Sequence, residues 1–259
     1  MLVFQPAHFK LRKHFEKWLN ETGFYQKFHF YNLGITSVYG PKLSPRIWDM
    51  TFWFCCFGFY GKYFSRFLKT YKSNFVFVDV GANAGLYSLI AGQNHYCVHS
   101  HCFEPDPTTS RFLTKNIELN NAKNISAHHY AIADKRGQKQ VSVNQYHSGS
   151  LSLDAPSPTV EERYTVSIEC VNASDLSDII STTEQELIIK IDVEGYERVV
   201  IGELLKCEFA QHIQHVYFEA CGSKENIETS IDLLTKAGFV PLYHSNFFGH
   251  KNIHMVRSR

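Results

Sequence analysis

The sequence lacks several features that would have assigned it elsewhere at once. Its seven cysteines are odd in number, include the adjacent pair Cys55-Cys56, and form no C-x-x-C. That pattern supplies neither a disulfide framework nor a zinc ligand set, and it points to a reducing compartment. The uncharged stretch from Met50 to Gly61 is too short to span a bilayer. At the N-terminus, MLVFQPAHFKLRKHF carries charges where a signal peptide needs an apolar core. There are no internal repeats and no low-complexity segments. A cytosolic protein is the expectation, with peripheral attachment to a membrane surface left open.

What is present describes an ordinary globular chain. Its 259 residues are 44% apolar and 20% charged, which suits one sizeable α/β domain with an appendage. The net charge of +1 hides an asymmetry. Residues 1–72 hold eleven Lys and Arg against three Asp and Glu, a net of +8, with all three tryptophans and 21 of the 38 aromatic residues. The remainder has fifteen against twenty-two, a net of −7. This composition shift sets the expected boundary: a basic, aromatic, helical extension at 1–72 and the main domain at 73–259.

Within the extension, Phe9 to Leu19 is amphipathic and Asn20-Glu21-Thr22-Gly23 is a plausible helix end. Trp53, Phe57, Tyr60, Phe64, Phe67 and Tyr71 recur at alternating spacings of four and three, the spacing of one helical face, although Gly58 and Gly61 weaken the helix there. This stripe is expected to pack on the main domain or on a second subunit in a homo-oligomer. A membrane-interface or acceptor-docking surface is the alternative.

From Phe75 onward, strand-like and helix-like stretches alternate, as a doubly wound, mostly parallel sheet requires. Strands are expected at Phe75–Val80, Cys97–Phe103, Ile125–Tyr130, Glu186–Ile191 and Gln214–Glu219, and helices at Leu86–Gln93, Pro107–Leu119, Tyr196–Leu205 and Lys224–Ala237. Phe239–His244 and Asn252–Arg257 read as a closing antiparallel hairpin. An insertion at about 137–171 contributes strand-like pieces at Gln140–Asn144 and Tyr164–Val171.

The chemistry concentrates where the strands end. FVFVDVGANAGLYS, Phe75 to Ser88, is a buried strand, a glycine turn and a helix start, which brings bare backbone close to a small ligand. Its glycines, Gly81 and Gly85, are four apart and an acid, Asp79, precedes them, unlike the G-x-G-x-x-G of dinucleotide loops. Asp79 must be hydrogen-bonded if buried, and either holds the turn's amides or touches ligand. Asn83 either makes a hydrogen bond or occupies a left-handed turn position. Glu104 ends the second strand, where an acid can accept both hydroxyls of a ribose. After the third strand, Ala131-Ile132-Ala133 leaves room for a flat ring and Asp134 either accepts from an adenine amino group or belongs to a plain Asp-Lys-Arg-Gly turn. The fourth strand ends in KIDVEGYE, Lys190 to Glu197, which puts Lys190 and Asp192 on one side. The fifth ends in Glu219. Asp192, Glu194 and Glu219 are therefore candidates to converge on an acceptor hydroxyl. Glu194 or Glu197 could instead cap the next helix, and Lys190 could pair with Asp192.

Acid-x-Gly-x-x-x-Gly resembles the first motif of class I S-adenosylmethionine (SAM) dependent methyltransferases. VDVGANAGLYS, FEPDP, the AIAD turn, GSLSL at Gly149–Leu153 and KIDVEGYE together resemble the FkbM family of methyltransferases over about Phe75 to Arg257. The resemblance implies a Rossmann-like class I fold and SAM-dependent O-methylation, commonly of sugar hydroxyls. Carried over by motif, it implies cofactor contacts at Asp79, Gly81, Asn83, Gly85, Glu104 and Asp134, with Asp192 and Glu194 beside the reacting centre. Neither the (Asn/Asp/Ser)-Pro-Pro-(aromatic) stretch of exocyclic-amine methyltransferases nor the Pro-Cys of pyrimidine C5 enzymes occurs here.

The expected mechanism is direct in-line transfer to a hydroxyl, with Asp192 as base, alone or through a Mg²⁺ held with Glu219. His147, His244 and His250 are rival bases. The expected partner is a small-molecule or glycan acceptor, and nucleic acid is not favoured. The rivals of another class are methylation of RNA or protein through the basic segment, and a non-catalytic SAM-binding subunit of a biosynthetic complex.

Overall fold

The computed structural model describes residues 34–46, 49–59, 61–144, 163–180, 184–221, 223–247 and 250–258. The expected helix at Phe9–Leu19, Tyr60 of the aromatic stripe, the GSLSL motif and His147 lie outside them.

A seven-stranded sheet organises the molecule. In chain order its strands are β3 (Phe75–Val80), β4 (Cys97–Phe103), β5 (Ile125–His128), β9 (Glu186–Ile191), β10 (Ile213–Ala220), β11 (Phe239–Phe247) and β12 (His250–Arg257). In space they run β11-β12-β10-β9-β3-β4-β5. The five strands from β10 to β5 are parallel. Strand β12 pairs antiparallel with β10, and β11 antiparallel with β12. The α/β class, the parallel sheet and the closing hairpin are those expected from the alternation of elements.

Strand β3 shows why this sheet forms. All six of its residues are buried, as a central parallel strand covered on both faces requires. Its two faces feed different cores. Val76, Val78 and Val80 join Leu176, Val200, Ile201, Leu204 and Leu234 on one side. Phe75 and Phe77 join Phe52, Phe64, Leu68, Leu89, Ile90 and Leu113 on the other. The helices contributing to the first core are α5 (Ala173–Ile179), α6 (Glu197–Leu204) and α7 (Lys224–Lys236). Those contributing to the second are α1 (Met50–Phe57), α2 (Lys62–Thr70), α3 (Leu86–Gly92) and α4 (Pro107–Leu119). Before α1, the short pair β1 (Ile35–Thr36) and β2 (Lys42–Leu43) is antiparallel. Among the described residues no helix is long and apolar enough to cross a membrane.

Three expectations need correction. The aromatic stripe is not one helical face, because left-handed Gly58 and Gly61 end α1 and start α2 in a new direction. Its second half packs inward: the ring of Phe64 stacks on Tyr217 at 4.1 Å, and Phe67 meets His254 at 4.7 Å. In its first half Trp53 still packs against the second core, while Phe57 is 58% exposed. Next, the expected strand Ile125–Tyr130 is two strands. β5 stops at His128, and Tyr130–Ile132 forms β6 in a separate sheet of order β6-β8-β7, where β7 is Gly137–Asn144 and β8 is Arg163–Val171. Lastly, α5 was missed. Its capping box, with Asn172 accepting from the Asp175 amide and Asp175 accepting from the Asn172 amide, was legible as N-x-x-D before an apolar residue.

Candidate active site

The carboxyl ends of β3, β4, β9 and β10 lie side by side, because parallel strands in register bring their ends to one edge. The glycine turn sits on this edge. Gly81 has φ 71°, and a Cβ there would overlap the carbonyl oxygen of Asp192. Only glycine lets the turn approach β9 this closely. Asn83 takes the left-handed conformation at φ 50°, and Gly85, at φ 80°, is the N-cap of α3. The Gly81 and Ala82 amides both donate to the Phe103 carbonyl at 3.0 Å, which ties the turn to the end of β4.

Glu104 completes this cradle. One carboxylate oxygen accepts from the Asn83 amide at 2.9 Å and the other from the Asp106 amide at 3.0 Å. The residue is 6% exposed. Burial, only partly relieved by these amides, pushes it up to about 7. Asp106 caps α4 by accepting from the Thr109 amide at 2.9 Å, and Pro107 occupies the first turn. Asn116 of α4 reaches back to the turn, donating to the Ala84 carbonyl at 2.8 Å while its oxygen accepts from the Ser44 amide at 2.6 Å.

Beneath the turn lies the residue that sequence reasoning undervalued. Lys190 is 3% exposed. Its Nζ donates to the Gly81 carbonyl at 2.7 Å and lies 3.3 Å from Asp79 Oδ1 and 3.5 Å from Asp192 Oδ2. Burial alone would lower this lysine, but the carboxylates of Asp79, Asp192 and Glu219 outweigh it and hold Lys190 above its ordinary value. Asp79 is wholly buried. Its Oδ2 accepts from Ser88 Oγ at 2.7 Å. Of the two roles open to Asp79, direct bonding to the turn's amides is thus not what the geometry gives. It reaches the turn through the Lys190 ammonium. The signal for Lys190 was a lysine inside an otherwise apolar strand, Leu187-Ile188-Ile189-Lys190-Ile191, because a buried ammonium requires a partner.

Several acids lie near one another at the ends of β9 and β10. Burial, with Asp192, Glu219 and Glu197 nearby, pushes Glu194 up to about 8, and Glu194 is held at φ 52° in a turn. Glu219 is 5% exposed near the end of β10. Glu197 is a structural acid here: it accepts from the Gly195 amide at 2.9 Å and from Asn226 Nδ2 at 3.0 Å, which staples the turn to α7. Nearby Cys55 is kept a thiol, since burial, then Cys56 and Asp49, push it up to about 12. Asp134 stands apart from the acid group. It is exposed between β6 and β7 and accepts from Tyr196 Oη at 3.4 Å. His244 is exposed on β11, and the side chain of His250 lies outside the described residues. Among the described residues no group of three or more His, Cys, Asp or Glu is placed to hold a metal, so the expected Mg²⁺ between Asp192 and Glu219 has no ligand set to support it.

Comparison with known proteins gives this geometry a context. A family model described as the methyltransferase FkbM domain matches residues 79–241, more than half of the chain. "Methyltransferase 1" of Beauveria bassiana (strain ARSEF 2860) is 25% identical over 177 residues, covering 62% of this chain and 71% of that protein. Among solved structures, precorrin-6y C5,15-methyltransferase of Geobacter metallireducens GS-15 is 11% identical with a TM-score of 0.44, covering 76% of this chain and 86% of its own. TrmK of M. capricolum, solved with S-adenosylhomocysteine, is 10% identical with a TM-score of 0.46, covering 77% and 70%.

Proposed function

The chain belongs to the FkbM methyltransferase family, and from that membership we propose that this SAM-dependent methyltransferase methylates a hydroxyl, that of a sugar in a glycan, glycolipid or natural product. The observation that carries the reading is the junction at Lys190. One buried ammonium binds the carbonyl of the cofactor turn at 2.7 Å and a strand-end carboxylate, Asp192, at 3.5 Å. On this reading it holds the Asp192 carboxylate beside the bound cofactor.

The residues present fit the cofactor. Each Glu104 oxygen accepts one amide and keeps a second lone pair. Two ribose hydroxyls would occupy those lone pairs and relieve the buried charge that pushes Glu104 up. Gly81, Asn83 and Gly85 shape the turn beside it, Asp79 supports the turn through Lys190, and Asp134 is the candidate partner for the adenine amino group. Bound SAM supplies an electrophilic methyl group on sulfur.

The chain's own residues do the rest. Asp192 takes the proton of the attacking hydroxyl, and Lys190 holds Asp192 in place. Glu194, pushed up to about 8 by burial and the neighbouring acids, holds its proton more tightly than an ordinary glutamate. It and Glu219 orient neighbouring hydroxyls by hydrogen bonds, which is where positioning lowers the barrier. A sugar, with several hydroxyls on one ring, matches an edge with several carboxyl groups.

Asp192→Asn is expected to lower kcat by about 10²–10⁴-fold while SAM binding measured by calorimetry is kept. Retained turnover would remove Asp192 from its role. A labelled-methyl assay over sugar nucleotides, glycolipids, RNA and protein should put label in the glycan fractions, and label confined to RNA or protein would overturn the hydroxyl reading.

A further inference from the structure

The face of α1 turned away from the core carries chemistry that the reaction does not use. Met50, Phe54 and Phe57 are spaced four and three apart and are 54%, 37% and 58% exposed, and Phe59 in the following turn is 63% exposed. Ile35 and Val38 add to this surface at 37% and 63%. The β1–β2 turn lies against the helix, with the Val38 amide donating to the Cys56 carbonyl at 2.9 Å. The rings are in mutual contact: Phe54 and Phe57 each meet Phe59 edge-on, with centroids at 6.4 and 6.3 Å. Phe54, Phe57 and Phe59 therefore form one contiguous exposed patch, the kind that marks an interaction site.

Charge beside this patch has one sign. Lys62, Arg66 and Lys69 are exposed and spaced four and three along α2, which puts them on one face that begins three residues after Phe59. The acid described between residues 34 and 72 is Asp49, which is 3% exposed and pairs with Arg46 at 3.2 Å. The chain beyond residue 72 is net negative, so cationic character is concentrated here. A second copy of the chain docking face to face would oppose this stripe with itself. An anionic lipid surface complements both parts, taking the aromatic rings at the headgroup boundary and the cations on its phosphates.

The link between α1 and α2 also reaches the residues beneath the glycine turn. At Gly61, the N-cap of α2, an added Cβ would overlap Tyr87 Oη. The Tyr87 ring lies 5.7 Å from Lys190 Nζ. We propose that the outer face of α1 and the basic stripe of α2 seat the protein on an anionic lipid surface, so that the site meets a lipid-linked acceptor whose hydroxylated headgroup stands at the water boundary. The acceptor half of this proposal rests on the hydroxyl-methylation reading, whereas the docking half does not.

The test is co-sedimentation of the full chain with phosphatidylcholine vesicles containing roughly 30% phosphatidylserine, against pure phosphatidylcholine. Binding is expected to the anionic vesicles and to weaken as salt screens the stripe. Phe57→Ser with Phe59→Ser should lower vesicle affinity about tenfold or more. Lys62→Glu with Arg66→Glu and Lys69→Glu should erase the preference for phosphatidylserine. S-adenosylhomocysteine binding, followed by calorimetry, should be unchanged in both variants, which separates lost docking from lost folding. A wild-type chain that binds the cofactor product but ignores both vesicles overturns the proposal. So do aromatic variants that sediment like wild type, or a dimer in sedimentation velocity that the aromatic variant dissolves. If no form binds the cofactor product, the methyltransferase reading fails while the vesicle result still decides the docking.

Discussion

Lys190 and Glu104 are ionisable side chains buried to 3% and 6% exposure, and each tolerates that position through its neighbours. Lys190 neutralises Asp79, whose Oδ1 has the ammonium at 3.3 Å and no hydrogen bond. Lys190→Met would leave Asp79 buried without compensation, so a loss of about 3–5 kcal/mol in urea unfolding is expected. Adding Asp79→Asn should recover part of it, the coupling a double-mutant cycle reads. Glu104 gives a pH signature. Burial raises it to about 7, so a rising share is protonated as pH falls through that value, and a protonated oxygen accepts one hydrogen bond fewer. KM for SAM is expected to rise as pH is lowered from 8 to 6. Glu104→Gln should raise KM at every pH and flatten that dependence.

At the scale of elements, the site depends on how closely the glycine turn approaches the end of β9. Asp192 donates its amide to the Val80 carbonyl at 3.0 Å, which stitches β9 to β3 just where Gly81 begins the turn. Gly81→Ala would push the turn off β9 and add the strain of a left-handed alanine, typically about 1–2 kcal/mol. Lower Tm with a larger relative loss of kcat/KM than of stability is the expected result, because the Lys190 bond to the turn is displaced at the same time. Elements that obey local rules were legible beforehand. β3, β4, β9 and α4 have the bounds expected from sequence, since continuous apolar runs and the Asp106-Pro107 start are local signals. β5 was not, because its break at His128 follows from β6 pairing with β8, a strand more than thirty residues away.

For the whole molecule, buried titratable groups of opposite behaviour set the pH range of stability. Burial, reinforced by neighbouring imidazoles at His101, His128 and His254, holds His101 and His254 down at about 3 and His128 and His215 at about 4. Their contribution is complete above the ordinary value of 6.5 and is lost as pH falls toward the folded values. Burial raises Glu104 and Glu197 to about 7 and Glu194 to about 8. Their contribution is complete below the ordinary 4.5 and is lost as pH rises through those values. Tm is therefore expected to peak between about pH 6 and 7, falling on the acid side as histidines charge and on the alkaline side as the glutamates ionise. A calorimetric scan from pH 4 to 9 checks this. His254 also ties the extension to the sheet, bonding Tyr63 Oη at 2.9 Å and His215 at 3.2 Å, so acid should loosen α2 from the hairpin first.

By itself the sequence determined the α/β class, the parallel strands with their closing hairpin, the glycine turn at Gly81–Gly85 and the place of Glu104 after the second strand, because each is written in short-range periodicity or local residue spacing. It also carried the family motifs. Only the tertiary structure decided that Lys190 joins the turn to Asp79 and Asp192, that Glu197 bonds Gly195 and Asn226, that Asp134 stands in the β6–β7 connection, and that Phe64 and Phe67 of the aromatic stripe pack inward while Phe57 is exposed. The physical reason is common to all four. A side chain's burial and partners depend on strands that meet in space, and spacing along the chain carries no record of that meeting.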